Sequence, residues 1–139
     1  MRETQKSVHG WCKAMFPGYV GVKGRAVALV EEAVELAIAA GVSYDTIRAA
    51  VEVPILKETV RMGSGQSWNQ NADREEVADV MVCLYAYAEE AGCDAHYELD
   101  EKMELNRSRS MEYYAKKTAD KQEKGFILPD MPPGRELRK

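Results

Sequence analysis

Apolar residues recur at helical spacing in long runs broken by glycine and proline, and no stretch alternates apolar and polar residues between hairpin turns. The chain is therefore expected to be all-α. A first helix is predicted over about Thr4 to Met15, ending at "FPGYVGVKG", where Pro17 and three glycines break the pattern. A second runs from about Gly24 to Ala40 and stops at Gly41, a suitable C′ residue. "SYDTIRAAVEVPILKETVRM" reads as helical on both sides of Pro54, which should kink or split it, with Ser43 as N-cap. After the polar "GSGQSWNQNAD", Asp73 is expected to cap a helix reaching about Ala91, with Glu76 as its capping-box partner. One last long helix is expected from Ala95 to about Lys121. The tail "KGFILPDMPPGRELRK" holds three prolines in its last eleven residues and is expected to be irregular unless Phe126, Ile127 and Leu128 dock on a partner.

Two of these helices carry acid in unusual company. From Ala26 to Ala40 the only polar side chains are Glu31, Glu32 and Glu35, which fall on an arc of roughly 100° at 100° per residue. Alone, that stripe reads as the wet face of an amphipathic helix. "VADVMVCLYAYA", Val77 to Ala88, is harder to explain, because eleven of its residues are apolar and its one charge is Asp79, three positions after Glu76. An ionised carboxylate buried in such a segment costs several kcal/mol unless it is paired, protonated or bound to metal. Two helices that each present carboxylates at i and i+3 can pack with those faces opposed, and four clustered carboxylates demand a cation. All-oxygen ligation suits Mg²⁺ or Mn²⁺. An EF-hand is disfavoured because the ligands lie on helices, and a di-iron bundle because His9 and His96 stand outside both acid motifs.

Composition narrows the partners. The 139 residues fit one domain or one protomer of a small oligomer, 45% apolar and 30% charged. Lys and Arg number 19 against 23 Asp and Glu, a net charge of −4 with no extended basic block, which argues against a nucleic-acid partner. Cys12, Cys83 and Cys93 form an odd set without a CxxC motif, as expected of free thiols in a reducing cytosol and of a chain without zinc. No segment reaches the ~18 consecutive apolar residues of a membrane span, and the N-terminus has no signal-like apolar region, so no membrane partner is expected. Wide apolar arcs on so short a chain point to a homodimer or homotetramer.

The motifs "EEAVE", Glu31 to Glu35, and "EVAD", Glu76 to Asp79, resemble the EExxE and ExxD signature of the MazG-like superfamily of all-α nucleoside triphosphate pyrophosphohydrolases. A third family element, a lysine and an asparagine one turn apart on a following helix, is similar to "KMELNRSR", Lys102 to Arg109. The resemblance covers about Gly24 to Arg109. It departs from many members in the 40 residues between Glu35 and Glu76, which hold the Pro54 segment and the Gly/Ser-rich loop.

The resemblance implies a MazG-like helical bundle over residues 1–124, its four-helix core completed by oligomerisation, with residues 125–139 as the tail. It implies that Glu32, Glu35, Glu76 and Asp79 ligate Mg²⁺ or Mn²⁺ and that Glu31 ligates a further ion or helps deprotonate water. Lys102, Asn106 and Arg109 fall within about 60° by helical phase, so they could converge on phosphate oxygens. The implied reaction is hydrolysis of a nucleoside triphosphate between the α and β phosphates to the monophosphate and pyrophosphate, in the cytoplasm, or in a host cytoplasm if the chain is phage-encoded. Trp11 and Trp68 are candidates to stack on the base, with Gln66, Asn69 and Asn71 as amide donors and acceptors. "WCKAMFPG" is similar to family branches that hydrolyse purine deoxynucleotides such as dGTP or dATP. Two other readings stand beside this one: a non-catalytic helical oligomer whose acid stripes are ion-paired between subunits, and the same fold acting on a non-nucleotide phosphorylated metabolite.

Overall fold

The computed structural model describes residues 2–19, 21–64 and 72–125, and every regular element among them is a helix. The first, α1 (Gln5–Met15), begins as a capping box: the Thr4 hydroxyl accepts from the Ser7 N–H at 3.1 Å, and the Thr4 N–H donates to the Ser7 hydroxyl at 2.9 Å. The second, α2 (Gly21–Ala39), ends in a Schellman motif. Gly41 adopts φ 84°, its N–H bonds the Ile38 carbonyl, and the Val42 N–H bonds that of Ala37, both at 3.0 Å.

Ser43 then caps α3 (Tyr44–Gly63) by accepting from the Thr46 N–H at 3.2 Å. The helix passes through Pro54 without a break, so the expected split does not occur. Proline removes one N–H, the donor that would have met the Ala50 carbonyl, and because Ala50 is exposed, water can take that carbonyl instead.

The next helix, α4 (Ala72–Ala91), starts earlier than its sequence suggests. Asp73 is its second residue and lies inside the first turn, not at the N-cap position expected for it. The helix closes on Gly92 (φ 71°) with the same Schellman pairing, Gly92 N–H to Glu89 and Cys93 N–H to Ala88.

The last long helix is two. Asp94 caps α5 (Ala95–Ser108), accepting from the N–H groups of His96 at 2.9 Å and Tyr97 at 3.0 Å, and these bonds hold its carboxyl below the usual range. Arg109 is extended (φ −91°, ψ 149°), and Ser110 begins α6 (Met111–Glu123) by accepting from the Tyr113 N–H at 3.2 Å. A serine hydroxyl that satisfies an orphan N–H competes with helix continuation, and "RSM" is where that competition wins. Gln66, Trp68, Asn69, Asn71 and the tail segment Phe126 to Leu128 lie outside the described residues.

The chain divides into two compact units, Met1–Val30 with Ala88–Lys139, and Glu31–Tyr87. The first has the core: Tyr19, Ala88, Met103 and Tyr114 are buried, and α1 packs against α6. Trp11, Phe16 and Tyr114 meet edge to face at centroid distances of 5.1 to 5.7 Å, and Tyr113 and Tyr19 extend the cluster. The N-terminal segment is tied to α5 by charge as well. Glu3 receives a bidentate pair from the Arg107 guanidinium, and its N–H donates to Asp100 at 2.7 Å. In the second unit, no described residue is buried. Among the described residues no helix is long and apolar enough to cross a membrane.

Candidate functional site

The EEAVE acids ride on the second half of α2. Three alanines, a leucine, a valine and an isoleucine share this segment with the glutamates, which are its only polar side chains, and alanine, leucine and glutamate all favour helix. Glu32 and Glu35 are exposed and Glu31 is half-buried. Glu76 and Asp79 lie one turn apart near the start of α4, both exposed, where carboxylates also meet the favourable end of the helix dipole. Glu32, Glu35, Glu76 and Asp79 form no ion pair among the described residues, so all four keep their lone pairs for a ligand.

The two acid pairs share a unit, but the described chain does not gather them. No group of three or more His, Cys, Asp or Glu side chains is assembled as a metal ligand set among the described residues. The reason is visible in the packing: the apolar surfaces of α2 and α4 stay in water. Val77 is 62% exposed and Val82 65%, and Val80, Met81 and Leu84 are exposed with them. Asp79 is therefore hydrated in the single chain, contrary to the buried apolar setting that its sequence neighbours suggest. Its desolvation cost arises only when that face is covered.

Lys102, Asn106 and Arg109 belong to the other unit, and they are not one stripe. Lys102 is exposed on α5. Asn106 is engaged in structure: the Tyr114 hydroxyl lies 3.0 Å from its carbonyl and 3.2 Å from its Oδ1, and its amide faces the Met103 sulfur at 4.0 Å. Arg109 has left the helix as its C-cap, which ends the phase relation that aligned it with Lys102 and Asn106. Its guanidinium sits 4.7 Å from the Tyr113 ring centroid, a cation–π contact. Lys102 and Asn106 remain a turn apart on one helix, and Arg109 does not join them there.

Trp11 packs inside the aromatic cluster, with its indole N–H buried and unpartnered among the described residues. Nothing local in the sequence marks the Glu3–Arg107 pair, whose members are 104 positions apart. The Arg107 hydrogen bond, helped by that from Ser7, holds the Glu3 carboxyl at about 2. The three cysteines are free, and burial raises the Cys12 thiol above its ordinary value.

No family model matches the chain, and neither a curated protein nor a solved structure does.

Proposed function

We propose that this chain is a metal-dependent nucleoside triphosphate pyrophosphohydrolase, releasing pyrophosphate and a nucleoside monophosphate, with a purine deoxynucleotide such as dGTP or dATP as the candidate substrate. One observation carries the reading: two acidic pairs, in the order EExxE then ExxD, occupy exposed positions on two long helices that are otherwise largely apolar over those segments. A hydrated surface helix has no need to confine its acid in this way, whereas a polyanionic substrate held through cations does.

Glu32, Glu35, Glu76 and Asp79 supply the hard oxygen donors that Mg²⁺ or Mn²⁺ prefers, and no lysine or arginine among the described residues competes for them. When bound, such an ion polarises the α-phosphoryl group and lowers the pKa of a coordinated water. Glu31 would accept the proton of the attacking water or hold a further ion. Lys102 would neutralise outer phosphate charge, and Asn106 would orient it through the amide hydrogens left by its bond to Tyr114. Arg109 enters only if it gives up its contact with Tyr113.

Initial rates over the eight common NTPs and dNTPs, with Mg²⁺ and with Mn²⁺, test the reading. Glu35→Gln and Asp79→Asn are expected to lower pyrophosphate release at least about 100-fold without loss of helical circular dichroism, since each removes a charged metal ligand. Wild-type activity in either variant would sink the site assignment. The second reading, a non-catalytic helical oligomer, is favoured by the acids' lack of convergence within one chain, and it predicts no release from any nucleotide. A phosphorylated metabolite in place of a nucleotide would show as release from that class alone.

A further inference from the structure

We propose that Tyr114 is a positioning residue for phosphate: its hydroxyl holds the Asn106 carboxamide by Oδ1, so that the Nδ2 hydrogens are the end presented to a phosphate oxygen. The identity of the anion rests on the hydrolase reading; the orientation of the amide does not.

An asparagine side chain offers two ends of nearly the same shape and opposite character, a carbonyl oxygen that repels phosphate and an NH₂ group that binds it. Something else must fix which end faces the anion. Asn106 is half-buried near the end of α5, one turn after the exposed Lys102. Its main-chain carbonyl already accepts from the Arg109 N–H at 3.2 Å. Of the two Asn106 oxygens beside the Tyr114 hydroxyl, at 3.0 Å and 3.2 Å, Oδ1 is therefore the one with no other donor among the described residues. Nδ2 meets the Met103 sulfur at 4.0 Å, a weak acceptor. The acceptor end of the amide is engaged, and its hydrogens are left over.

A restraint works only if the group that applies it is itself fixed. Tyr114 is 2% exposed, and its ring meets Trp11 at 5.1 Å, Phe16 at 5.2 Å and Tyr113 at 5.0 Å, each nearly edge-on. The hydroxyl has one place to be. It reaches Asn106 because the chain breaks between α5 and α6: in one continuous helix, residues eight apart stand about 12 Å apart along the axis, too far for this bond. The break thus has a use beyond ending a helix. Removing the hydroxyl frees the amide to turn, and the ordering then falls on the binding step, which should weaken phosphate binding about three- to tenfold.

Calorimetric titration of the full chain with inorganic pyrophosphate in Mg²⁺, at a temperature where each variant is folded, tests this in a double-mutant cycle of Tyr114→Phe with Asn106→Ala. Tyr114→Phe keeps the ring and its neighbours and is expected to raise the pyrophosphate Kd about three- to tenfold. In the Asn106→Ala background the same change should have no further effect, because the group it positions is gone. A tyrosine that serves the fold alone would shift Kd equally in both backgrounds, or in neither, and either result overturns the proposal. If Asn106→Ala loses its helical circular dichroism, Asn106→Asp takes its place: it keeps Oδ1 for Tyr114 and removes the Nδ2 donor, so it should weaken pyrophosphate by itself and make Tyr114→Phe silent. Pyrophosphate binding by Asn106→Asp as tight as the wild type's overturns the proposal.

The hydrolase reading fails separately. If the wild type releases pyrophosphate from a nucleotide and Tyr114→Phe changes neither Kd nor KM, the role of Tyr114 falls and the hydrolase stands. If no nucleotide is hydrolysed but pyrophosphate binds with the expected coupling, the hydrolase falls and Tyr114 keeps its role. A wild-type chain that binds no pyrophosphate overturns the proposal outright.

Discussion

Gly24→Ala should destabilise this protein although it improves a helix. Gly24 lies inside α2, is buried, and approaches the backbone of Tyr19 so closely that an added Cβ would sit 2.6 Å from the Tyr19 carbonyl carbon and 3.0 Å from its Cα. Ordinary carbon contacts fall near 3.5–4.0 Å, so the methyl overlaps by roughly 1 Å. Tyr19 cannot easily retreat. Its residue is 4% exposed, its ring meets Phe16 edge-on at 6.0 Å, and its N–H bonds the Phe16 carbonyl at 3.2 Å. Replacing glycine by alanine within a helix gains about 1 kcal/mol. Overpacking a filled site costs about 1–3 kcal/mol, and backbone overlap belongs at the upper end. The expected net is a loss of about 1–2 kcal/mol, seen as a fall in Tm of roughly 3–8 °C by circular dichroism. Gly10→Ala in α1 is the matched control, because nothing lies within 4 Å of its Cβ position. It should gain about 0.5–1 kcal/mol. If Gly24→Ala is as stable as the wild type or more so, the close approach of α2 to Tyr19 is wrong.

Acid should erase the Glu3 contribution to stability. Its carboxyl is held at about 2 in the fold against 4.5 ordinarily, so protonation favours the unfolded chain, and its contribution, full above 4.5, disappears as the pH falls towards 2. The Tm gap between wild type and Glu3→Gln should therefore close over that interval; a gap constant with pH would refute the pair. Ser110→Ala, which removes the α6 cap, should cost about 0.5–2 kcal/mol in urea denaturation, and a neutral result would mean that the α5–α6 break does not depend on the serine hydroxyl. Tyr114→Phe deletes the hydroxyl that reaches Asn106 and should cost about 0.5–1.5 kcal/mol, with unchanged stability as the refuting outcome.

Local chemistry made much of this fold legible. Ser43 and Gly41 act through bonds to neighbours within five residues, so their roles as cap and stop follow from sequence alone, and the Thr4 cap and the Gly92 stop are of the same local kind. The helical placement of Glu31 to Glu35 and of Glu76 to Asp79 was readable for the same reason: hydrophobic spacing sets the helix and the helix sets the face. The failures were also local. Pro54 stays helical because an exposed helix lets water replace one lost bond, and Ser110 starts a new helix because its side chain outcompetes an N–H bond that periodicity had assumed.

Tertiary structure decided what periodicity could not reach. Asp79 looked buried because its neighbours in sequence are apolar, but burial is a property of what packs on a face, and within this chain that face is exposed. The same limit separated Arg109 from Lys102 and Asn106, joined Glu3 to Arg107, and put Trp11 among Phe16 and Tyr114. The sequence by itself determined an all-helical chain and the helices on which its acids ride, because both depend on interactions within a turn or two. Which side chains share a core, and whether carboxylates forty residues apart meet, depends on contacts between helices, and those energies belong to the packed surfaces and to no single segment.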